Sequence, residues 1–333
     1  MSGAVGMGGG AVVALVVVSL AFAWSMGAHY TGAVMGMPYA AHAIRLWPAL
    51  VSLAALTVVG ATVASGGVQQ TVGLHIVDAT RIDARMATIM VLGAFALTTV
   101  YTYYKVPTST IQILIFCVVG VGVAAGVPIH WATIARLAVT WVLAPPAACL
   151  LGFLFTRLLD AVLPADAAKL PGDHPDGFAL LARLLVLVGL AASFVLGAND
   201  VSNAVGVWTA VHVSTVTVAG LVGGVAMGIG ALTWGQRILT RVAFDIVTMD
   251  RVMASAAQGV QALVVFTAVT QGLFTSMNQA LVGAMAGTGL ARGRQTVQRA
   301  ALLGILKGWA ISPVTGFALC FVLYKAMAAT IGG

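Results

Sequence analysis

The sequence predicts an all-α polytopic membrane protein made of two inverted repeats, each of about five spans with broken or re-entrant helices. Three observations predict it: the hydropathy of the whole chain, an internal repeat at a nearly fixed offset, and the partition of basic residues between loops. Of 333 residues, 60% are hydrophobic and 8% are charged, and the mean hydropathy is +1.04. A soluble domain carries about 25% charged residues, and one crossing of a bilayer core takes about 20 apolar residues. Runs of that length recur from end to end of this chain.

The repeat comes next, because a missed repeat misreads the whole fold. SMGAHYTGAVMG (25–36) resembles VLGANDVSNAVG (195–206), an offset of 170. VPTSTIQ (106–112) pairs with FTSMNQ (274–279), and TWVLAPPAA (140–148) pairs with GWAISPVTG (308–316). RIDARMA (81–87) pairs with TMDRVMA (248–254). These pairs, in one order, define a first half at 1–157 and a second at 178–333. The connector at 158–177 contains the most polar loop, LPADAAKLPGDHPDG, and is expected on the cytoplasmic side.

The apolar runs place spans near 11–36, 46–70, 86–104, 107–126 and 132–157, then near 179–211, 216–236, 252–271, 275–291 and 300–326. The opening MSGAVGMGGG lacks the basic stretch of a cleaved signal, so the first run is expected to stay as a helix. Five spans per half turn the second half upside down relative to the first, an architecture typical of secondary transporters. The basic residues agree with that inversion. With both termini outside, Arg45, Lys105, Arg157, Lys169, Arg183, Arg237, Arg241, Arg251, Arg292, Arg294 and Arg299 fall inside, which is eleven. Arg81, Arg85, Arg136 and Lys325 fall outside, which is four, and Lys307 is left within a span. Cytoplasmic loops favour Lys and Arg. The same rule accounts for the net charge of +7 and removes any need for a nucleic-acid partner.

Candidate site residues lie where Gly- and Pro-interrupted segments match between the halves. Gly27-Ala28-His29-Tyr30 matches Gly197-Ala198-Asn199-Asp200, and Pro107-Thr108-Ser109-Thr110 matches Phe274-Thr275-Ser276-Met277. Pro107 fits a helix first turn. Helix starts of this kind leave backbone N–H groups and a positive dipole end free for an anion. The expected breaks lie near 27–36, 107–112, 197–206 and 275–279, enclosing substrate near the midplane.

Asp200 is expensive inside a membrane. It reads as a cation ligand, with sodium one option, as a proton carrier, or as a helix cap. Asn199 and Asn203 offer amide donors to an anion or carbonyls to a cation, and Asn199 is placed beside Asp200 for the coupling ion. Ser109, Thr110, Ser276, Thr108 and Thr275 could donate hydroxyls to an anion, or bond back to their own helix. Gln112 and Gln279 could bind substrate or hold helices together. Lys307 could neutralise the anion, pair with Asp200, or snorkel to the interface. His29 could donate to the anion, relay protons, or only pack. Trp131, Trp208 and Trp234 read as interface aromatics.

GANDVSNAVG (197–206) resembles the GANDVANA signature of the inorganic phosphate transporter family. The PTST and TS elements, with Gln112 and Gln279 after them, resemble that family's PxSTTH elements, and ALVGAMAGTGLARG (280–293) resembles a third of its segments. The resemblance covers nearly the whole chain. The first signature copy is GAHYTGAVMG, without its Asn and Asp, and glutamines stand where the PxSTTH histidines belong. Together with MPYAAHAIR (37–45) and LKGWAISP (306–313), this pattern resembles the bacterial sulfate-permease branch. The resemblance implies cation symport of sulfate, or of phosphate as the alternative, by a homodimer in the bacterial cytoplasmic membrane. The coupling ion would be a proton or sodium, and no cofactor is expected.

The residues lend separate support. Phosphate keeps a proton near neutral pH and suits a carboxylate acceptor, whereas sulfate is a dianion without one. The chain has no Glu, and of its nine Asp residues only Asp200 falls well within a predicted span. No HExxH, no Cys-His pair and no paired carboxylates point to an enzyme. Cys117, Cys149 and Cys320 lie in apolar runs and read as packing residues. An anion channel is the remaining rival, and the paired interruptions favour alternating access over it.

Overall fold

A computed structural model describes residues 9–104, 108–163, 175–237, 239, 249–293 and 299–331. Pro107, Lys105, Lys169, Arg241, Arg294 and most of the connector lie outside the described residues. The helices are α1 (Gly9–Ala40), α2 (Leu46–Val63), α3 (Gly66–Leu74), α4 (Ala84–Tyr103), α5 (Thr110–Ala125) and α6 (Trp131–Val162), then α7 (Pro175–Val205), α8 (Val216–Thr233), α9 (Arg251–Thr270), α10 (Met277–Ala291) and α11 (Arg299–Ile331). No strand is found among the described residues; an isolated bridge pairs Val77 with Ile129. Eight of the described helices are long and apolar enough to cross a membrane.

The predicted spans are met, with three differences. The run at 46–70 is split: α2 closes at Ala64, and α3 starts anew after Ser65. The fourth span of each half is a short helix, 16 residues in α5 and 15 in α10. The third difference concerns the expected breaks near 27–36 and 197–206. Both α1 and α7 run unbroken through their motifs, and only at Val205 does α7 give way to a single 3₁₀ turn.

The reason lies in how their glycines are used. A Cβ on Gly27 would stand 1.8 Å from the carbonyl oxygen of Met227 in α8, and one on Gly197 would stand 2.0 Å from that of Thr57 in α2. These glycines let backbones touch, as small residues do between membrane helices. They do not interrupt the helix. The two contacts are also related: the shift of 170 that carries Gly27 to Gly197 carries Thr57 to Met227. The same crosswise pairing holds more widely. Helix α1 packs along α8 while α7 packs along α2, and α5 packs along α11 while α10 packs along α6. His42 and His212, also 170 apart, both adopt left-handed backbone, at φ 53° and 52°.

The outer surface carries exposed apolar side chains such as Val13, Val17, Val142, Leu150 and Leu187. In water such a surface would be costly; against lipid it is not. Trp131 and Trp234 are exposed, as interface aromatics should be, but Trp208 is not one of them. Its ring is buried, and its indole N–H donates to Ser19 Oγ at 2.9 Å.

Candidate functional site: a buried polar cluster on α7

Two helix starts are brought to one stretch of α7. Ser109 caps α5, its Oγ accepting from the Gln112 backbone N–H at 3.4 Å, and Ser276 caps α10 in the same way with the backbone N–H of Gln279, also at 3.4 Å. Side-chain caps of this kind satisfy one of the free N–H groups of a first turn. Asn199 fixes the approach to α10. Its Nδ2 donates to the Thr275 carbonyl at 2.9 Å, and its Oδ1 accepts from the Thr275 N–H at 3.3 Å. The amide thus imitates a backbone partner and holds the loop to α7. On the other side, Asn203 Nδ2 reaches Thr110 Oγ1 at 3.4 Å, at the first residue of α5.

Asp200 sits between them. Its carboxylate accepts from Asn199 Nδ2 at 3.0 Å and from Asn203 Nδ2 at 3.4 Å. Tyr30 Oη lies 2.7 Å from Thr110 Oγ1. Asp200, Asn199, Asn203 and Tyr30 are all fully buried. A buried charge survives only with such partners.

Several polar atoms in and beside the cluster have no protein partner: Asn203 Oδ1, Thr275 Oγ1, Gln112 Oε1 and Gln279 Oε1. Leaving a buried polar atom unmatched costs about 1–3 kcal/mol. Four together, from α7, α5, α10 and the loop before it, are what a site for a small polar ligand requires. The oxygens can ligate a cation; the free N–H groups of the two helix starts suit an anion. Among the described residues, no group of three or more His, Cys, Asp or Glu could hold a metal ion.

The residues expected from sequence therefore fall into three sets. Asn199, Asp200, Asn203, Thr110 and Thr275 meet directly. Ser109, Ser276, Gln112, Gln279 and Thr108 are buried in or beside the two helix starts. His29 and Lys307 stand apart. The His29 ring turns to Thr102 Oγ1 of α4, at 3.3 Å, with Nδ1 toward it. Lys307 is exposed on α11, so it neither neutralises the cluster nor pairs with Asp200. Two further features went unseen in the sequence. Tyr30 was aligned with Asp200 by the repeat, and that was the available signal. Gln258 and Gln261 of α9 are buried beside the site: Gln261 Nε2 donates to the Met277 carbonyl at 3.1 Å, and Gln258 Nε2 donates to the Ala33 carbonyl at 3.4 Å. Amides three apart inside an apolar helix were their signal.

A family model described as the phosphate transporter family matches residues 26–320. The chain belongs to that family. The phosphate transporter family is one of membrane permeases, and the match takes in every residue of the cluster. The sulfate permease CysP of Bacillus subtilis (strain 168) is 27% identical over 315 residues, covering 93% of this chain and 86% of its own. A putative phosphate permease of Pyrococcus abyssi (strain GE5 / Orsay) is 25% identical over 391 residues, covering 93% and 96%. Among solved structures, one titled the sodium-dependent phosphate transporter superposes with a TM-score of 0.87 at 22% identity, over 96% of this chain and 99% of that one. It shares the fold.

Proposed function

We propose that this phosphate transporter family member imports sulfate across the bacterial cytoplasmic membrane by cation symport, as a homodimer whose termini lie outside. Two inverted halves provide alternating access around the cluster on α7. The observation that carries the reading is the convergence of two serine-capped helix starts on a stretch of α7 that offers a single carboxylate. The helix starts face the anion with backbone N–H groups and hydroxyls, and Asp200 takes the coupling cation. A dianion entering against an inside-negative potential costs about 2.3 kcal/mol per charge per 100 mV, so at least two cations must accompany it for neutrality. With one carboxylate in the cluster, protons are favoured over sodium as the driving ion.

Phosphate is the second reading. It is favoured by the relatives named as phosphate permeases and by Asp200 itself, which could accept a phosphate proton. Uptake of labelled sulfate and labelled phosphate into proteoliposomes, under a proton gradient and then a sodium gradient, separates the two. Sulfate accumulation under the proton gradient, not displaced by phosphate, is the expected result. Phosphate accumulation that displaces sulfate would overturn the substrate assignment. Asp200→Asn should remove gradient-driven accumulation; unchanged accumulation would show that the cluster is not the coupling site.

A further inference from the structure

Among the described residues, α9 is the most enclosed of the eight candidate spans. Of its apolar stretch 72% is buried, against 22–44% in the others and 33% in α4, its first-half counterpart. Yet α9 carries a polar stripe. Ser255, Gln258 and Gln261 recur at every third residue, so each neighbours the next on the helix surface, and all three are buried. The shift of 167 that relates RIDARMA to TMDRVMA puts Thr88, Val91 and Ala94 in the matching places of α4. That face is apolar but for Thr88, whose hydroxyl donates to its own helix, at the Ala84 carbonyl, at 2.6 Å. The Ser255 hydroxyl has no protein partner, and neither has Gln258 Oε1.

The amide donors of the stripe are engaged. Gln258 Nε2 donates to Gln261 Oε1 and to the Ala33 carbonyl of α1, the latter at 3.4 Å, and Gln261 Nε2 donates to the Met277 carbonyl at 3.1 Å. Met277 opens α10 directly after the Ser276 cap, so one end of the stripe meets a helix start of the cluster. The other end approaches Arg251 and the Asp250 cap, about 15 Å from Gln261 at 1.5 Å per residue. Amides that only glued helices together would leave no acceptor unmatched, because burying an unmatched polar atom is unfavourable. Polar side chains at membrane depth face the interior of a bundle or a water-filled cavity, and they mark substrate pathways. The stripe holds no carboxylate to repel a dianion. We propose that Ser255, Gln258 and Gln261 line the route by which the oxyanion leaves the cluster toward the Asp250 end of α9, cytoplasmic in the proposed orientation. The glutamine bonds to α1 and α10 hold that route shut in this structure. Once they open, the freed amides donate to the anion, while Ser255 Oγ and Gln258 Oε1 accept from the water that hydrates it. The inference rests on the cluster on α7 being the transport site, but its first test does not need transport.

Single cysteines test it, in a protein whose Cys117, Cys149 and Cys320 are replaced by alanine. A membrane-impermeant, sulfonated thiol reagent is applied to each face of sealed membrane vesicles. Met249→Cys, just before α9, identifies the face on which the Asp250 end lies. Ser255→Cys and Gln258→Cys should react from that face, severalfold faster with sulfate and a proton gradient than at rest. Thr88→Cys and Val91→Cys should not react from it. No reaction at 255 and 258 where Met249→Cys reacts would overturn the proposal, and so would equal reaction at 88 and 91. Gln258→Leu and Gln261→Leu put the same question to uptake, since they keep the bulk and remove the amide. Slower release should lower the maximal rate severalfold without raising the half-saturating sulfate concentration. Unchanged uptake in both would reduce the amides to helix glue, and a raised half-saturating concentration at full rate would move them into the binding site; either overturns the route. Labelling from the Met249 face in a protein that takes up no sulfate would overturn the substrate assignment and leave the route standing.

Discussion

Helices α1 and α7 carry two copies of one motif, and the backbone treats them alike while the side chains do not. Each uses a glycine to touch a helix of the other half, Gly27 against Met227 and Gly197 against Thr57. Each ends near a histidine in left-handed backbone. The short helices that meet them, α5 and α10, both start at a serine cap with a glutamine on the third residue. Where α7 offers Asn199, Asp200 and Asn203, however, α1 offers His29, Tyr30 and Ala33. Features that shape the backbone survive in both copies. The side chains of the buried polar cluster stand in one. The difference separates packing from chemistry within a single motif, which neither copy alone could do.

The glycine contacts are where that symmetry can be broken most severely. Adding one methyl at Gly27 or Gly197 drives carbon into a backbone carbonyl that has no rotamer to escape through. Overpacking of this kind costs about 1–3 kcal/mol, and it separates two spans along their contact. Gly27→Ala and Gly197→Ala should each lower the thermal midpoint of the purified protein, by similar amounts, and each should cut uptake. A tolerated substitution at one glycine beside a damaging one at the other would show that the two crossings are not equivalent.

Much of this was legible beforehand, and the exceptions share a physical cause. The spans were legible because lipid demands long apolar runs, and the helix starts because Ser109 and Ser276 sit at matched places. The continuity of α1 and α7 was not, since a glycine in an apolar helix signals either an interruption or a close approach. Only the position of the neighbouring backbone decides. Lys307 was misplaced because helices apolar on every side carry no stripe that says which face turns inward. Tyr30 was visible in the repeat, but a lone aromatic in a span reads as packing until its hydroxyl is seen 2.7 Å from Thr110 Oγ1, inside the cluster.

The caps sharpen the comparison at smaller scale. Removing a serine cap costs about 0.5–2 kcal/mol. The loop before α10 has a second anchor, the double hydrogen bond from Asn199 to Thr275. The matched residue in the first half, His29, is turned to Thr102 instead. Ser109→Ala should therefore destabilise the protein more than Ser276→Ala in parallel thermal unfolding. Adding Asn199→Ala to Ser276→Ala should cost more than the two single losses combined.

The smallest effects are expected at the far ends of α5 and α10, where the halves are fastened differently. Beyond α10, Arg292 pairs with both Asp160, near the end of α6, and Asp250, the cap of α9. Beyond α5, the bridge between Val77 and Ile129 is joined by the Asp78 N–H, which donates to the Pro128 carbonyl at 3.0 Å. The Asp78 carboxylate takes no part in that bridge; it accepts from the Thr80 hydroxyl at 2.7 Å and is held below the usual carboxylate range by that bond. Arg292→Gln should loosen the first fastening, with a loss of about 1 kcal/mol that shrinks as salt is raised. Asp78→Asn should leave the second nearly intact, because its bridge is backbone. The pH response has a definite sign. A carboxylate whose pKa is lowered on folding adds stability above its ordinary titration range and loses it as pH falls through the lowered value. Amide exchange at Thr80 and Arg81 should therefore quicken only in strong acid, while the ends of α3 and α6 keep their protection. Loss of that protection at neutral pH in Asp78→Asn would mean that the carboxylate, rather than the bridge, holds this end of the first half.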